Sequence, residues 1–291
     1  MPMSTGIHAF ISEGLLRLSD VELRLGIEDF YNSDEGQRSF SCAEELFNRL
    51  TSSNWSKSQL RRFLWGWGAT HGTSAFVSGL MIRLQREAIA AGQANPEGCL
   101  LMHCAAAEIG EIISEDTGVD GVSHMQLFVQ LANSLIGDDS WRLDENSMPA
   151  CNRFRGLIRQ RRLKDPIEGA ILTTMASECW NVGEYSYFDT LIQSWMTEQL
   201  GLPSDYADAA STYVKIHTGD TELGHFLHAV EAWKYYCEAT GIERSVEKVI
   251  ASFRDYQLNL LYALEELNSD LLRGDSAPVR LVGSNDEAVY N

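Results

Sequence analysis

Positions 215–225 read KIHTGDTELGH, which places His217, Asp220, Glu222 and His225 within eleven residues. Imidazoles and carboxylates together suit iron or manganese. At about 100° per residue, a helix sets Glu222 and His225 roughly 60° apart on one face. His217 falls roughly 140° from Glu222, so an unbroken helix turns it aside, pairing Asp220 with His217 and Glu222 with His225. One residue absorbed as a π-bulge would instead align His217, Glu222 and His225. Gly219 and Gly224 make the local backbone permissive enough for that.

Other segments could complete a site. In AAAEIGEIISEDTGVDGVSHMQLF, residues 105–128, Glu108, Glu111 and Glu115 recur at helical spacing. Glu111 and Glu115 are like charges four residues apart, which oppose each other unless something offsets them. The loop from Asp116 to Ser123 returns His124 at the start of the next helix. Glu178 lies among Met175, Ala176, Cys179 and Trp180, and a buried carboxylate there requires a metal or a cation, unless it finds an exposed face.

The order glutamate–loop–histidine, then a glutamate in an apolar helix, then a histidine–acid–histidine helix resembles the haem-oxygenase-like diiron oxidases and oxygenases, relatives in fold of thiaminase II. The residues that carry the resemblance are Glu115, Gly118, His124, Leu127 and Phe128, then Glu178, then His217, Glu222 and His225. The resemblance covers roughly residues 57–235. The last segment departs from the family spacing by one inserted residue between His217 and Glu222, and Asp220 is the alternative acid. The resemblance implies an all-α, haem-oxygenase-like helical bundle holding two Fe(II) ions on Glu115, His124, Glu178, His217, Glu222 and His225. Glu108 or Glu111 would be an extra ligand or substrate contact, and O₂ the co-substrate. It further implies oxidation of a small amino-acid-like or amine metabolite, by C–H abstraction with desaturation or C–C cleavage, or by N-oxygenation, with an external electron donor possible. Two rivals are a metal-free thiaminase-like hydrolase or cofactorless oxidase using Cys179 or a glutamate pair, and a non-enzymatic helical binding protein.

Further residues are weighed for supporting roles. Tyr185 follows Glu178 by two turns and could supply protons or electrons. One of Arg153, Arg155 or Arg159, in the basic run RFRGLIRQRRLK, could grip a substrate carboxylate through its planar fork; Arg155 is taken as substrate-binding. His71 and His103 read as core histidines, with His71 also able to line a pocket. His228 reads as packed or supporting, and Cys179 as an inert buried thiol.

The elements that must position these residues are helical throughout. Apolar residues repeat at helical spacing, and only six prolines interrupt them. Helices are expected within 8–32 and over 41–51, then a long one from Lys57 to Ala91 capped by Ser56. Others follow over 98–116, from His124 and from Asn152, and over 165–200 with an interruption near Gly183. One capped by Leu202-Pro203-Ser204-Asp205 should contain the opening motif, and a last helix runs over 243–273. The 291 residues, 44% hydrophobic, suffice for one helical domain over 1–291, with 274–291 a flexible tail. A net charge of −18 disfavours nucleic acid and anionic membranes as partners. Six scattered cysteines suit a reducing compartment. Without a basic stretch ahead of its apolar residues the N-terminus does not read as a signal peptide, and no apolar run spans a bilayer. The expectation is a cytoplasmic protein, with a homodimer the base-rate assembly.

Overall fold

The computed structural model describes residues 6–119 and 121–273, so the expected tail over 274–291 lies outside the described residues. Those residues form helices and no strands. The helices are α1 Ile7–Leu15, α2 Val21–Asn32, α3 Asp34–Thr51, α4 Lys57–His71, α5 Ser74–Ala91, α6 Pro96–Thr117, α7 His124–Ile136, α8 Pro149–Leu163, α9 Ile167–Ser194, α10 Ser204–Ala210, α11 Thr212–Ile216, α12 Asp220–Thr240 and α13 Val246–Leu272. None is long and apolar enough to cross a membrane.

Local chemistry fixes the boundaries that matter for the site. Ser56 and Ser123 each close a reciprocal capping box, with Gln59 and Gln126 respectively, which starts α4 and α7. At the end of α6, Gly118 takes the left-handed conformation (φ 69°) that terminates a helix. The expected single helix from Lys57 to Ala91 is broken at Gly72 and Thr73. There Gly72 N–H still donates to Gly68 O, but Thr73 N–H turns back to His71 O.

α9 is the central helix, buried along nearly its whole length, and packs against α12, α1, α8 and α13. Gly183 does not interrupt it. A Cβ at that position would lie 2.6 Å from Ile7 O and 2.7 Å from Ile11 Cγ1, so the glycine is where α1 lies against α9. Gly183→Ala is expected to lose about 1–2 kcal/mol, because overpacking outweighs the gain in helix propensity. Gly169→Ala, whose Cβ would meet no neighbour within 4 Å, should be neutral or stabilising. Urea denaturation of the two variants separates packing from propensity.

Candidate metal centre

The opening motif is divided between two helices. His217 ends α11, Gly219 adopts φ 64°, and α12 begins at Asp220. This break, rather than a π-bulge, brings His217 round to the face of Glu222 and His225. A π-helical turn does occur, but at Trp195–Gln199. Asp220, at the first turn of α12, points outward and pairs with Arg17 with its side chain 88% exposed, so it is not the acid facing His217.

Two triads face each other. Asp116 from α6, His124 from α7 and His217 from α11 offer donor atoms within 4.8 Å of one another. Glu178 from α9 with Glu222 and His225 from α12 do the same. Glu222 joins them: its Oε1 lies 3.8 Å from His217 Nε2 and its Oε2 3.7 Å from His225 Nδ1. Glu178 Oε2 is 3.8 Å from the same His225 nitrogen. His124 Nδ1 lies 2.9 Å from Asp116 Oδ1 without the alignment of a hydrogen bond, and buried Glu222 Oε2 has no hydrogen-bond partner.

Glu115 occupies a different place from the one expected of it. Its side chain, 57% exposed, accepts from His225 Nε2 at 2.9 Å, on the side of that imidazole away from the triads. Its neighbour Asp116 takes the position beside His124. Glu108 bonds His228 and Glu111 is exposed; neither joins a triad. His103 is exposed rather than packed in the core.

Three groups around the triads were not singled out from the sequence. Arg162, in the basic run and fully buried, donates to Thr73 Oγ1 at 2.8 Å and to Ser177 Oγ, and sits 3.7 Å from Glu178 Oε1. Ser177 also donates to Oε1, while Oε2, which faces His225, accepts from Asn181 Nδ2 at 3.3 Å. Tyr213 accepts from His217 Nδ1 through its backbone oxygen at 2.6 Å, which leaves Nε2 as the lone-pair nitrogen facing the cluster. Tyr213 hydroxyl also pairs with that of Tyr185 at 2.7 Å, and the Tyr185 ring stacks on His217 at 4.2 Å. The third is Glu184, fully buried, which accepts from the indole nitrogens of Trp67 and Trp180 and faces His71 Nε2 at 3.3 Å.

Burial, reinforced by His124, pulls the pKa of His217 down to about 3, so it is a neutral imidazole at ordinary pH. Burial raises Glu222. For His225, burial acts downward, but Glu115, Glu222 and Glu178 outweigh it and raise the pKa. The His225–Glu222 pair therefore retains a proton that a cation must displace. Divalent-metal affinity is expected to rise with pH up to about 8, the value to which burial raises Glu222, by about tenfold per unit for each proton released. His217 contributes nothing to that slope. Calorimetry of Mn(II) binding in buffers of different ionisation enthalpy counts the proton released.

Asp116, His124 and His217 of one triad and Glu178 and Glu222 of the other border one cavity of about 570 Å³. His71, Tyr185, Tyr213 and Asn181 also line it, as does Arg155, which is exposed. Cys179 does not line it: the thiol contacts Tyr31, and burial pushes its pKa up to about 12.

No protein-family profile and no curated protein matches the chain in sequence. Among solved structures, a TenA homolog from Pseudomonas syringae pv. tomato aligns over 80% of this chain and 92% of its own, with 12% identity and a TM-score of 0.53. The fold is haem-oxygenase-like and TenA-like. Within it, the residues facing the cavity are this chain's own evidence for what it does.

Proposed function

We propose that the chain is a non-haem diiron oxidase or oxygenase that activates O₂ against a small organic metabolite. The observation that carries this reading is Glu222, one buried carboxylate whose two oxygens face two histidine–carboxylate triads. The donor set fits a pair of ferrous ions. Each triad supplies mixed imidazole and carboxylate ligands, and the unaligned His124 Nδ1 and unpartnered Glu222 Oε2 are donor atoms awaiting an electron-pair acceptor. Asp116, His124 and His217 would hold one ion and Glu178 and His225 the other, with Glu222 shared.

When bound, the iron pair would supply the electrons that reduce O₂. The protein's part is positioning. Tyr213 fixes the tautomer of His217 and Arg162 orients Glu178. The Tyr185–Tyr213 hydroxyl pair keeps a proton at the cavity wall, since burial raises the pKa of both phenols. Tyr185, whose ring stacks on His217, is the proton donor in this proposal. The thiaminase-like alternative shares the fold, but a thiol nucleophile would need Cys179 in the cavity, and it faces Tyr31 instead.

Anaerobic titration of metal-free protein with ferrous iron tests the reading. Two equivalents bound per chain, followed by a transient visible absorption on exposure to O₂, support it. Absence of iron uptake overturns it.

A further inference from the structure

The mouth of the cavity carries uncompensated cations on an otherwise acidic chain. In the basic run of α8, Arg161 pairs with Asp255 and Arg162 is buried against Glu178. Arg155 and Arg159 are exposed and form no ion pair among the described residues. Four residues apart, they share one flank of the helix, and Arg155 reaches the cavity. Arg142, from the short 3₁₀ turn Ser140–Arg142, lines the same cavity, is exposed, and also has no ion pair among the described residues. The acids of the following turn, Asp144 and Glu145, pair with none of the three. Met125, which lines the cavity, and Leu143, next to Arg142, are 56% and 51% exposed. From this face a series of rings leads inward. The Arg142 guanidinium lies 5.1 Å from the ring of Trp141, itself only 7% exposed. Trp141, Phe128, Tyr213 and His217 then follow one another at centroid separations of 5.4, 5.1 and 4.6 Å.

We propose that this face docks an acidic one-electron carrier protein, with Trp141, Phe128 and Tyr213 as the packed route from its redox centre to His217. The proposal rests on the diiron reading for the destination of the electron; the docking does not. In each encounter the carrier is oxidised by one electron and one ferric ion of the proposed pair is reduced to ferrous, with no bond made or broken. Two encounters restore the pair. A chain of net charge −18 repels an acidic partner over most of its surface, so a local concentration of unpaired arginines orients the approach as well as attracting it. Exposed Met125 and Leu143 among these arginines give the small, partly apolar contact that suits a transient electron-transfer complex. An acidic carrier protein bearing a tethered substrate would match the charge equally well. The ring series favours the electron carrier, because packed rings couple a surface donor to a buried acceptor better than an open gap does.

Anaerobic titration of the metal-free protein with a reduced plant-type 2Fe–2S ferredoxin, and with an acyl carrier protein of similar charge, tests the docking. The ferredoxin should bind, and its affinity should fall about tenfold as ionic strength rises from roughly 0.05 to 0.3 M. Arg142→Glu and Arg159→Glu should each weaken it about tenfold at the lower salt. Arg153→Glu carries the same charge change on the same helix, but Arg153 lies about 160° round α8 from Arg155; it should cost under about threefold. All three positions are exposed, and a thermal melt checks that folding is intact. The paramagnetic cluster also reports its own position: of the seven indole N–H signals, that of Trp141 should broaden most. No binding, an equal loss in Arg153→Glu, broadening centred on another indole, or acyl carrier protein bound as tightly would overturn the proposal. Mixing reduced ferredoxin with ferric-loaded protein then tests the destination, and two equivalents should be oxidised per chain. A chain that docks ferredoxin over Trp141 but loads no iron tells against the diiron centre and leaves the docking face standing.

Discussion

Glu222→Ala is expected to abolish tight iron binding at both positions, whereas His217→Ala is expected to leave one equivalent bound. The difference follows from the geometry. His217 belongs to one triad, but the two oxygens of Glu222 face both. Loss of a direct ligand should weaken its ion by more than the roughly tenfold to hundredfold typical of residues that only orient a ligand. Glu115→Gln, which removes the outer partner of His225, should fall within that smaller range. Asp220→Ala should change nothing, because that carboxylate faces Arg17 at the surface. Counting iron per chain after anaerobic loading and gel filtration ranks all four. Equal loading of Glu222→Ala and the unaltered chain would show that Glu222 does not join the two triads.

The largest stability effect is expected at Glu184. Replacing it with alanine strips the acceptor from two buried indole N–H groups and leaves the His71 imidazole without its counter-charge. Breaking a buried charge pair by removing one partner typically costs about 3–5 kcal/mol; Glu184→Gln, which keeps the size and one acceptor oxygen, should cost less. The pH dependence has a defined sign. For Glu184, burial acts upward but His71 and the two indoles prevail and lower the pKa. Its contribution is therefore present above the ordinary carboxyl value of 4.5 and lost as pH falls through the depressed value. For His71, burial acts downward but Glu184 prevails and raises the pKa, so its contribution is full below the ordinary 6.5 and lost as pH rises through the raised value. The stability gap between the unaltered chain and Glu184→Gln should be widest between 4.5 and 6.5 and narrow on both sides. Urea denaturation across that range measures it, and a gap independent of pH would mean the pair is not ionised.

Much of this arrangement is legible in the chain, because helical periodicity carries it. The all-α class follows from spacing alone, whereas the grouping of His124, Glu178, His217, Glu222 and His225 is implied only by the family resemblance. Asp116 is instructive because its signal was present. Met102, Ala105, Ile109 and Ile112 form the buried stripe of α6, and Asp116 continues it one turn later. Glu108, Glu111 and Glu115 belong to the polar stripe beside it, so the stripe, rather than the residue type, identifies the inward acid. Arg162 likewise continues the buried series Cys151, Phe154 and Ile158 of α8, yet its basic neighbours make the run look solvated. Gly183 and Gly219 show where local sequence is ambiguous. One glycine admits a neighbouring backbone without bending its helix, and the other ends a helix with positive φ. The close approach of α1 distinguishes the first and the positive φ the second.

The break at Gly219 also separates what can vary from what cannot. Because His217 caps the end of α11 and the Glu222–His225 pair belongs to α12, lengthening or shortening the connection by a residue would alter the spacing between the two half-sites while leaving the helical Glu222-x-x-His225 register intact. The centre is in that sense modular. Under the proposed function, editing one surface turn would retune how far apart two bound ions stand without altering the residues that would hold them.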